Sequence, residues 1–507
     1  MKNMRTIVRK TSFLGIHLNL SLSKVSIQDF HKSPFEIVLF FSPDMFLLQL
    51  GCRPRTLSLV SVIVLAMSNM FLTFLLLQSE TCTSSNNDET LMGINAVTEW
   101  NINSDDQSNL EPKNMVRCPV TEENPDLNDT KPLNLDFRLG RWDNRRQYKT
   151  FDSILVGSQF SELSASKSIC LATQSSLEKL HSLVQVAHHW TASISVALYT
   201  AGDEEFEALQ KYLYYIRRCY PPIRERVTFS LAVPRNKVPT KNPTIFQYSE
   251  DFQCSRPEAT LFELMNKISV EHTNWRAKNV YPQNHMRNLA RKNCQTNWVF
   301  LTDVDIIPSM NLANSLDQFM RRTRDCDKCA YVIPTYELDV RVKFPQNKTE
   351  LVRLARKGLA RPFHWKVFIH NQYATNFTRW ISDVTPGAKG YQDVLRGVTY
   401  ISHNVTNFEF LYEPFYVSKD TAPAHDERFL GYGYTRNTQV YEMFVAGYQF
   451  KVLSPVFTVH WGLQSRKNRP GWRERQNIFN RKQFDSFKRE IFAKYSTDPL
   501  KMVKKIK

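Results

Sequence analysis

Residues 297–309 read NWVFLTDVDIIPS. Positions 298–302 are apolar or β-branched, the composition of a short buried strand. Two carboxylates, Asp303 and Asp305, follow one residue apart where that strand must end, and Pro308 with Ser309 closes the segment as a turn into a helix. In an extended segment alternate side chains share a face, so both carboxylates can reach one ion or one phosphate. The carboxyl end of a strand is where open α/β sheets bind ligands, and paired hard oxygen donors suit a divalent cation. The alternative is a pair of turn or helix-start carboxylates with no ligand.

Upstream of this stretch strand and helix patterns alternate. Residues 168–173, 193–199 and 227–233 read as strands, and 175–189, 204–217, 261–270 and 284–293 as helices. Downstream come a helix at 312–322, a strand at 330–334 and a helix at 350–357. An aromatic, irregular stretch occupies 361–400, before a helix at 438–446 and an extended run at 449–459. Such alternation implies an α/β fold, a Rossmann-like, mostly parallel mixed sheet flanked by helices. In the tail, Phe484, Phe487 and Ile491 fall on one helical face, read as a solvated amphipathic helix packed on the domain.

The chain has 507 residues, 42% of them hydrophobic, enough for a full core, and a net charge of +17. That charge is segregated: residues 1–56 carry eight Lys or Arg against three acids, and 466–507 carry fourteen against four, leaving +2 between. With no nucleic-acid-binding motif beside it, this pattern excludes nucleic acid as the partner. Residues 57–77 (LSLVSVIVLAMSNMFLTFLLL) contain no charge and match the roughly 20 residues of a membrane-spanning helix. Arg53 and Arg55 precede the run and Glu80 comes after it, which orients the amino terminus to the cytosol. The expected organisation is a cytoplasmic segment at 1–56, a signal anchor at 57–77, a lumenal stem rich in polar residues at 78–165, and a catalytic domain at 166–507. Sequons at Asn128, Asn347, Asn376 and Asn404, and eight cysteines beyond the span, agree with a secretory compartment. Cys326 and Cys329 form a single CxxC, read as a local disulfide or free thiols rather than a zinc site.

Several separated segments carry a resemblance. They are YPQNHMRNLAR (281–291), the opening stretch, YEPFYV (412–417), HDERFLGYGYTRNTQ (425–439) and FTVHWG (457–462). In this order they are similar to the β-1,4-glucuronyltransferases of the α-dystroglycan O-mannosyl glycan pathway, glycosyltransferase family 49, related to the second catalytic domain of LARGE-type enzymes. The similarity runs from about residue 167 to 495; it does not include the CxxC pair. It implies a GT-A type fold, a UDP-glucuronic acid donor, Mn2+, a xylose-ended O-mannosyl glycan acceptor, and inversion to a β-1,4 product. It also implies a type II single-pass protein of the Golgi membrane and allows a complex with other Golgi glycosyltransferases.

The resemblance maps roles onto residues. Asp303 and Asp305 would serve the metal and the donor diphosphate and ribose, and His460 would add a nitrogen ligand; mixed carboxylate and imidazole ligation suits Mn2+. Taken bare, His460 after an apolar run reads as a packed histidine. Asp426 and Glu427 are the candidates for the base that takes the acceptor proton, Asp426 preferred, although HDERF could equally open a helix. Asn284, Arg287, Asn288 and Arg291 lie on the helix before the strand. Arg287 and Arg291, one turn apart, suit bidentate recognition of phosphate or carboxylate, against a default of a solvated basic face. Glu413 could accept hydrogen bonds from sugar hydroxyls.

The rivals are a β-1,3-N-acetylglucosaminyltransferase acting on lactosamine-type glycans, a haloacid-dehalogenase-like phosphatase, and a non-catalytic, membrane-tethered glycan-binding protein. The phosphatase needs its acidic pair on the first strand of the domain, and here several units precede it. The anchor orientation places the four sequons in the lumen. N-glycosidase treatment of the chain from a eukaryotic host is therefore expected to shift its mobility, and a chain insensitive to the enzyme contradicts this topology.

Overall fold

The computed structural model describes residues 133, 135–240, 253–465 and 471–502. The expected cytoplasmic segment, the anchor and residues 78–132 of the stem lie outside them, as do Cys82, Cys118 and Asn128. No helix among the described residues is long and apolar enough to cross a membrane.

Among the described residues fourteen strands form two sheets: β1 (Arg141–Trp142), β2 (Tyr148–Leu155), β3 (Ile169–Ser176), β4 (Ile194–Tyr199), β5 (Val227–Pro234), β6 (Trp298–Leu301), β7 (Ile306–Pro308), β8 (Cys329–Ile333), β9 (Thr335–Leu338), β10 (Ala360–Pro362), β11 (Tyr400–Asn404), β12 (Phe415–Lys419), β13 (Gln449–Ser454) and β14 (Thr458–Trp461). The large sheet has the order β1-β2-β5-β4-β3-β6-β12-β8-β13-β11 and the small one β10-β9-β14-β7. The centre of the large sheet, β5-β4-β3-β6, is parallel. These strands are covered on both faces, so they read as continuous apolar runs. Beyond β6 the sheet turns mixed, because β12 runs antiparallel to both β6 and β8. The large sheet is thus mixed, as expected, with its parallel pairs in this block and at β8–β13.

Three stretches depart from the sequence reading. Residues 141–165, read as the end of the stem, form β1, β2 and all but the last residue of the helix Phe160–Ser166. β2 (YKTFDSIL) is laid antiparallel on β5 with charges interrupting its apolar residues, so it lacks the clean alternation of a recognisable strand. Residues 175–189 do not form one helix. Pairing with β4 holds β3 extended to Ser176, and a tight 3-10 turn, Leu177–Ser182, precedes the helix Leu183–His189. The irregular stretch at 361–400 contains β10 and several short helices, including Trp365–Phe368 and Phe377–Ser382.

Helices that cover the large sheet or wall its ligand-binding end include α1 (Gly202–Cys219), α2 (Gln283–Lys292), α3 (Arg436–Val445) and α4 (Gly471–Tyr495). α2 buries Met286, Leu289 and Ala290 against Cys170, Ala172 and Val299 of the sheet. Each such apolar side chain, fully buried, contributes about 1.5–3 kcal/mol for the larger types. α4 packs Phe484, Phe487 and Ile491 on Phe429 and Tyr441, which is the amphipathic docking read from its pattern. Disulfides join Cys170 to Cys294, Cys219 to Cys254, and Cys326 to Cys329. The first ties β3 to the end of α2 across 124 positions, and so holds the helix that carries Arg287. The double variant Cys170→Ala/Cys294→Ala is expected to lose about 2–5 kcal/mol of stability. Denaturant titration under oxidising conditions measures it.

Candidate active site

The chain turns sharply after β6: the Ile306 N–H donates to the Asp303 carbonyl, and β7 leaves to join the small sheet. Asp303 and Asp305 are therefore presented at the junction of the two sheets. There they line a cavity of about 540 Å³, within the usual range for a small-molecule site. β14 pairs antiparallel with β7 in a register that sets His460 opposite Ile306. That places the His460 Nε2 3.7 Å from the Asp305 Oδ2 although the residues are 155 positions apart. On the other side of β14, His460 is in register with Glu337, which is fully buried. The Glu337 carboxylate accepts from the backbone N–H groups of His364 and Gln464, and so ties two cavity loops to the strand.

The two aspartates have different partners. Asp305 faces His460 and Lys179, whose Nζ is 3.9 Å away. Burial pushes its carboxyl up, but the His460 ring and the Lys179 ammonium outweigh burial and bring it down to about 2. Asp303 faces arginines: its Oδ1 lies 2.7 Å from the Arg436 Nη2 and 3.3 Å from the Arg287 Nη2. Burial again acts upward, and the two guanidinium charges hold the carboxyl below the usual carboxylate range. Arg287 is buried, and its Nη1 donates to the Asn284 Oδ1 at 3.1 Å. Arg436 lies over the Phe415 ring, 4.1 Å from its centroid.

The expected metal set is thus only partly assembled. Asp305 and His460 stand together as a carboxylate and imidazole pair, a donor set that suits Mn2+. Asp303 is turned to the arginines, and the three do not bring their donor atoms into one tight group. Among the described residues the group that does, within 4.8 Å, is Asp143, His285 and Glu427, and those residues do not line the cavity.

The other expected site residues divide in the same way. Arg287 and Glu413 line the cavity; Asn284, Asn288, Arg291, Asp426 and Glu427 do not. Asn284 donates to the Asp426 carbonyl, and Asn288 exchanges hydrogen bonds with the His425 backbone. Arg291 binds Asp420 and the Pro423 carbonyl, so its charge serves a loop rather than a ligand. The base expected at Asp426 is not met by this geometry. Its carboxylate sits in the fork of Arg428, with Nη2 to Oδ2 at 2.7 Å, and Arg428 continues to Glu490 on α4. Glu427 is held by the Asn288 amide and stands 3.5 Å from the His285 Nε2. A short acidic pair in an unplaced loop gives no sign of which way its side chains turn, and here they turn to brace the loop.

Arg436, Lys179 and Gln174 reach the aspartates without having been singled out. Arg436 lies inside the quoted HDERFLGYGYTRNTQ segment, and the glycines before it carry the signal. Gly431 and Gly433 have φ of 70° and 86°. A Cβ on Gly433 would meet the Asn477 Oδ1 at 2.2 Å, so the turn that delivers Arg436 to the cavity requires glycine. Lys179 and Gln174 depended on β3 continuing to Ser176, which the helical reading of 175–189 concealed.

A family profile described as "Glycosyl-transferase for dystroglycan" matches residues 168–496. The chain belongs to this glycosyltransferase family. It is 30% identical over 334 residues to beta-1,4-glucuronyltransferase 1 of Homo sapiens, covering 65% of this chain and 77% of that one. It is 29% identical to beta-1,4-glucuronyltransferase 1 of Danio rerio, over 71% and 83% of the two chains. Identity to the xylosyl- and glucuronyltransferase LARGE2s of Gallus gallus is 25%, over 63% of this chain and 36% of that protein. The profile begins at β3 and ends within one residue of the end of α4, so β1 and β2 precede the matched region. The mixed sheet with its flanking helices and the aspartate pair at the end of β6 is the architecture expected of a GT-A glycosyltransferase.

Asp426→Asn weakens the Arg428 fork, and loss of such charged hydrogen bonds costs about 1–3 kcal/mol. Thermal unfolding is expected to move down while turnover stays within about threefold of wild type; a thousandfold loss of turnover in a folded variant would return Asp426 to the chemistry.

Proposed function

We propose that this cavity transfers glucuronic acid from UDP-glucuronic acid to a xylose-ended, dystroglycan-type O-mannosyl glycan, forming a β-1,4 bond with inversion. The observation that carries the reading is the convergence on one turn of two unlike charged sets. Arg287 and Arg436 meet at Asp303, and His460 meets Asp305. A nucleoside diphosphate sugar needs both. Arginine forks suit its phosphates, and a divalent cation such as Mn2+, held by Asp305 and His460, would neutralise charge on the departing diphosphate. The names of the relatives supply the sugar, glucuronic acid, and the linkage.

The family resemblance and the apolar run at 57–77 support a type II chain of the Golgi membrane with its catalytic domain in the lumen. Three disulfides among the described residues support an oxidising compartment. The sequon residues Asn347, Asn376 and Asn404 are exposed. Asn347 and Asn376 use their side-chain oxygens to cap helices, which leaves their amide nitrogens available for a glycan.

The full chain, supplied with Mn2+, a xyloside acceptor and a panel of UDP-sugars, is expected to transfer glucuronic acid, detected as the product mass. Transfer from UDP-N-acetylglucosamine alone would replace this reading with the N-acetylglucosaminyl one. Binding of sugar without UDP would replace it with a lectin. Asp305→Asn is expected to lower metal-dependent transfer at least a hundredfold while the unfolding temperature stays within a few degrees.

A further inference from the structure

Inversion by direct displacement requires a base beside the acceptor hydroxyl, and the placement of Asp426 and Glu427 leaves that position unfilled. Four carboxylates line the cavity: Asp303, Asp305, Glu413 and Glu474. Asp303 is committed to two arginines, and Asp305 to His460 and Lys179. Glu474 is exposed on the first turn of α4.

Glu413 is built differently. β12 begins two residues after it and runs antiparallel to β6, with Tyr416 opposite Leu301. This register brings the start of β12 to the same end of the sheet as Asp303, which lies two residues beyond Leu301. The Glu413 N–H donates to the Asn371 carbonyl at 2.8 Å, and its own carbonyl accepts from the Gln372 Nε2 at 2.8 Å. Its Oε2 accepts from the Asn371 Nδ2 at 2.8 Å. Its Oε1 accepts no hydrogen bond from a described residue. One oxygen is anchored, and the residue lines the cavity.

We propose that Glu413 is the general base of the transfer. The assignment rests on the glycosyl-transfer reading above and does not depend on which sugar is moved. The Glu413 Oε1 takes the proton of the acceptor hydroxyl as that oxygen bonds to the anomeric carbon of the donor. The bond from that carbon to the diphosphate oxygen breaks on the opposite face, its electron pair leaves with UDP, and the configuration inverts. Burial raises the Glu413 carboxyl above its ordinary value; the Asn371 hydrogen bond and the Arg436 and Arg287 charges act against burial without cancelling it, and Asp303 adds to it. His364 reaches the same amide, with its Nδ1 3.4 Å from the Asn371 Nδ2. A carboxylate moved towards working pH is the more effective proton acceptor.

The test compares the full wild-type chain with Glu413→Gln, Glu413→Asp and Asn371→Leu, using the donor that the wild type accepts. Glu413→Gln should lower kcat at least a hundredfold, with calorimetric binding of UDP in Mn2+ within threefold of wild type, and should abolish the acid limb of the pH profile. Glu413→Asp should restore part of kcat together with that limb. Asn371→Leu removes a hydrogen bond that favours the carboxylate, so its acid limb should move to higher pH. A folded Glu413→Gln variant with more than a tenth of wild-type kcat overturns the proposal. Should that variant not fold, an Asn371→Leu limb unmoved from wild type overturns it instead. A wild type inert towards every UDP-sugar defeats the transferase reading itself, whereas an active wild type with an active Glu413→Gln defeats only the base.

Discussion

The antiparallel pairing of β7 with β14 is the constraint on which the site depends. A strand pair has a side-chain period of two, so a slip of one residue would send His460 to the opposite face. The register that sets His460 opposite Ile306 is flanked on the other side of β14 by β9, which puts the buried Glu337 beside His460. A three-residue strand, β7, could not hold such a register alone. Its place at the edge of a four-stranded sheet, anchored by β9 and β10, makes the approach of imidazole to Asp305 reproducible.

A second constraint is electrostatic. Bringing Arg287 and Arg436 together in a buried place is unfavourable, and for Arg287 both burial and its neighbour act against the charged form. Asp303 is what permits them to converge, since it faces both guanidinium groups. Asn284 then orients Arg287 while holding the loop at Asp426, so one helix face positions a cavity-lining charge and braces the loop that leads to Arg436. The loop is closed from the far side by Arg428, which links Asp426 to Glu490 of α4. Residues that a motif groups together thus separate into those that face the cavity and those that hold its wall.

The four central parallel strands were legible, β3 over residues 168–173, because double burial makes them largely apolar, helix α2 because its apolar residues fall on one face, and the docked part of α4 because Phe484, Phe487 and Ile491 share a face. Edge strand β2 was not, since its charges hide the pattern. The extension of β3 through Ser176 was not either, because pairing with β4 decides it. In the site, Asp303 and Asp305 could be chosen from local spacing, whereas Arg287, whose spacing from Arg291 reads by default as a solvated basic face, could be kept only through family resemblance. His460 could be chosen only through family resemblance, because a histidine after an apolar run has no local mark of a ligand.

The amino-acid sequence by itself determined the α/β alternation, the strand that ends in Asp303 and Asp305, and the family to which the chain belongs. These reside in short-range patterns of polarity and in motif order. Only the tertiary structure decided which carboxylates line the cavity: Asp426 turns to Arg428, and Glu413 is among the lining residues. The physical reason is that a carboxylate's direction is set by the cations and amides that surround it, and those come from elements far away in the chain.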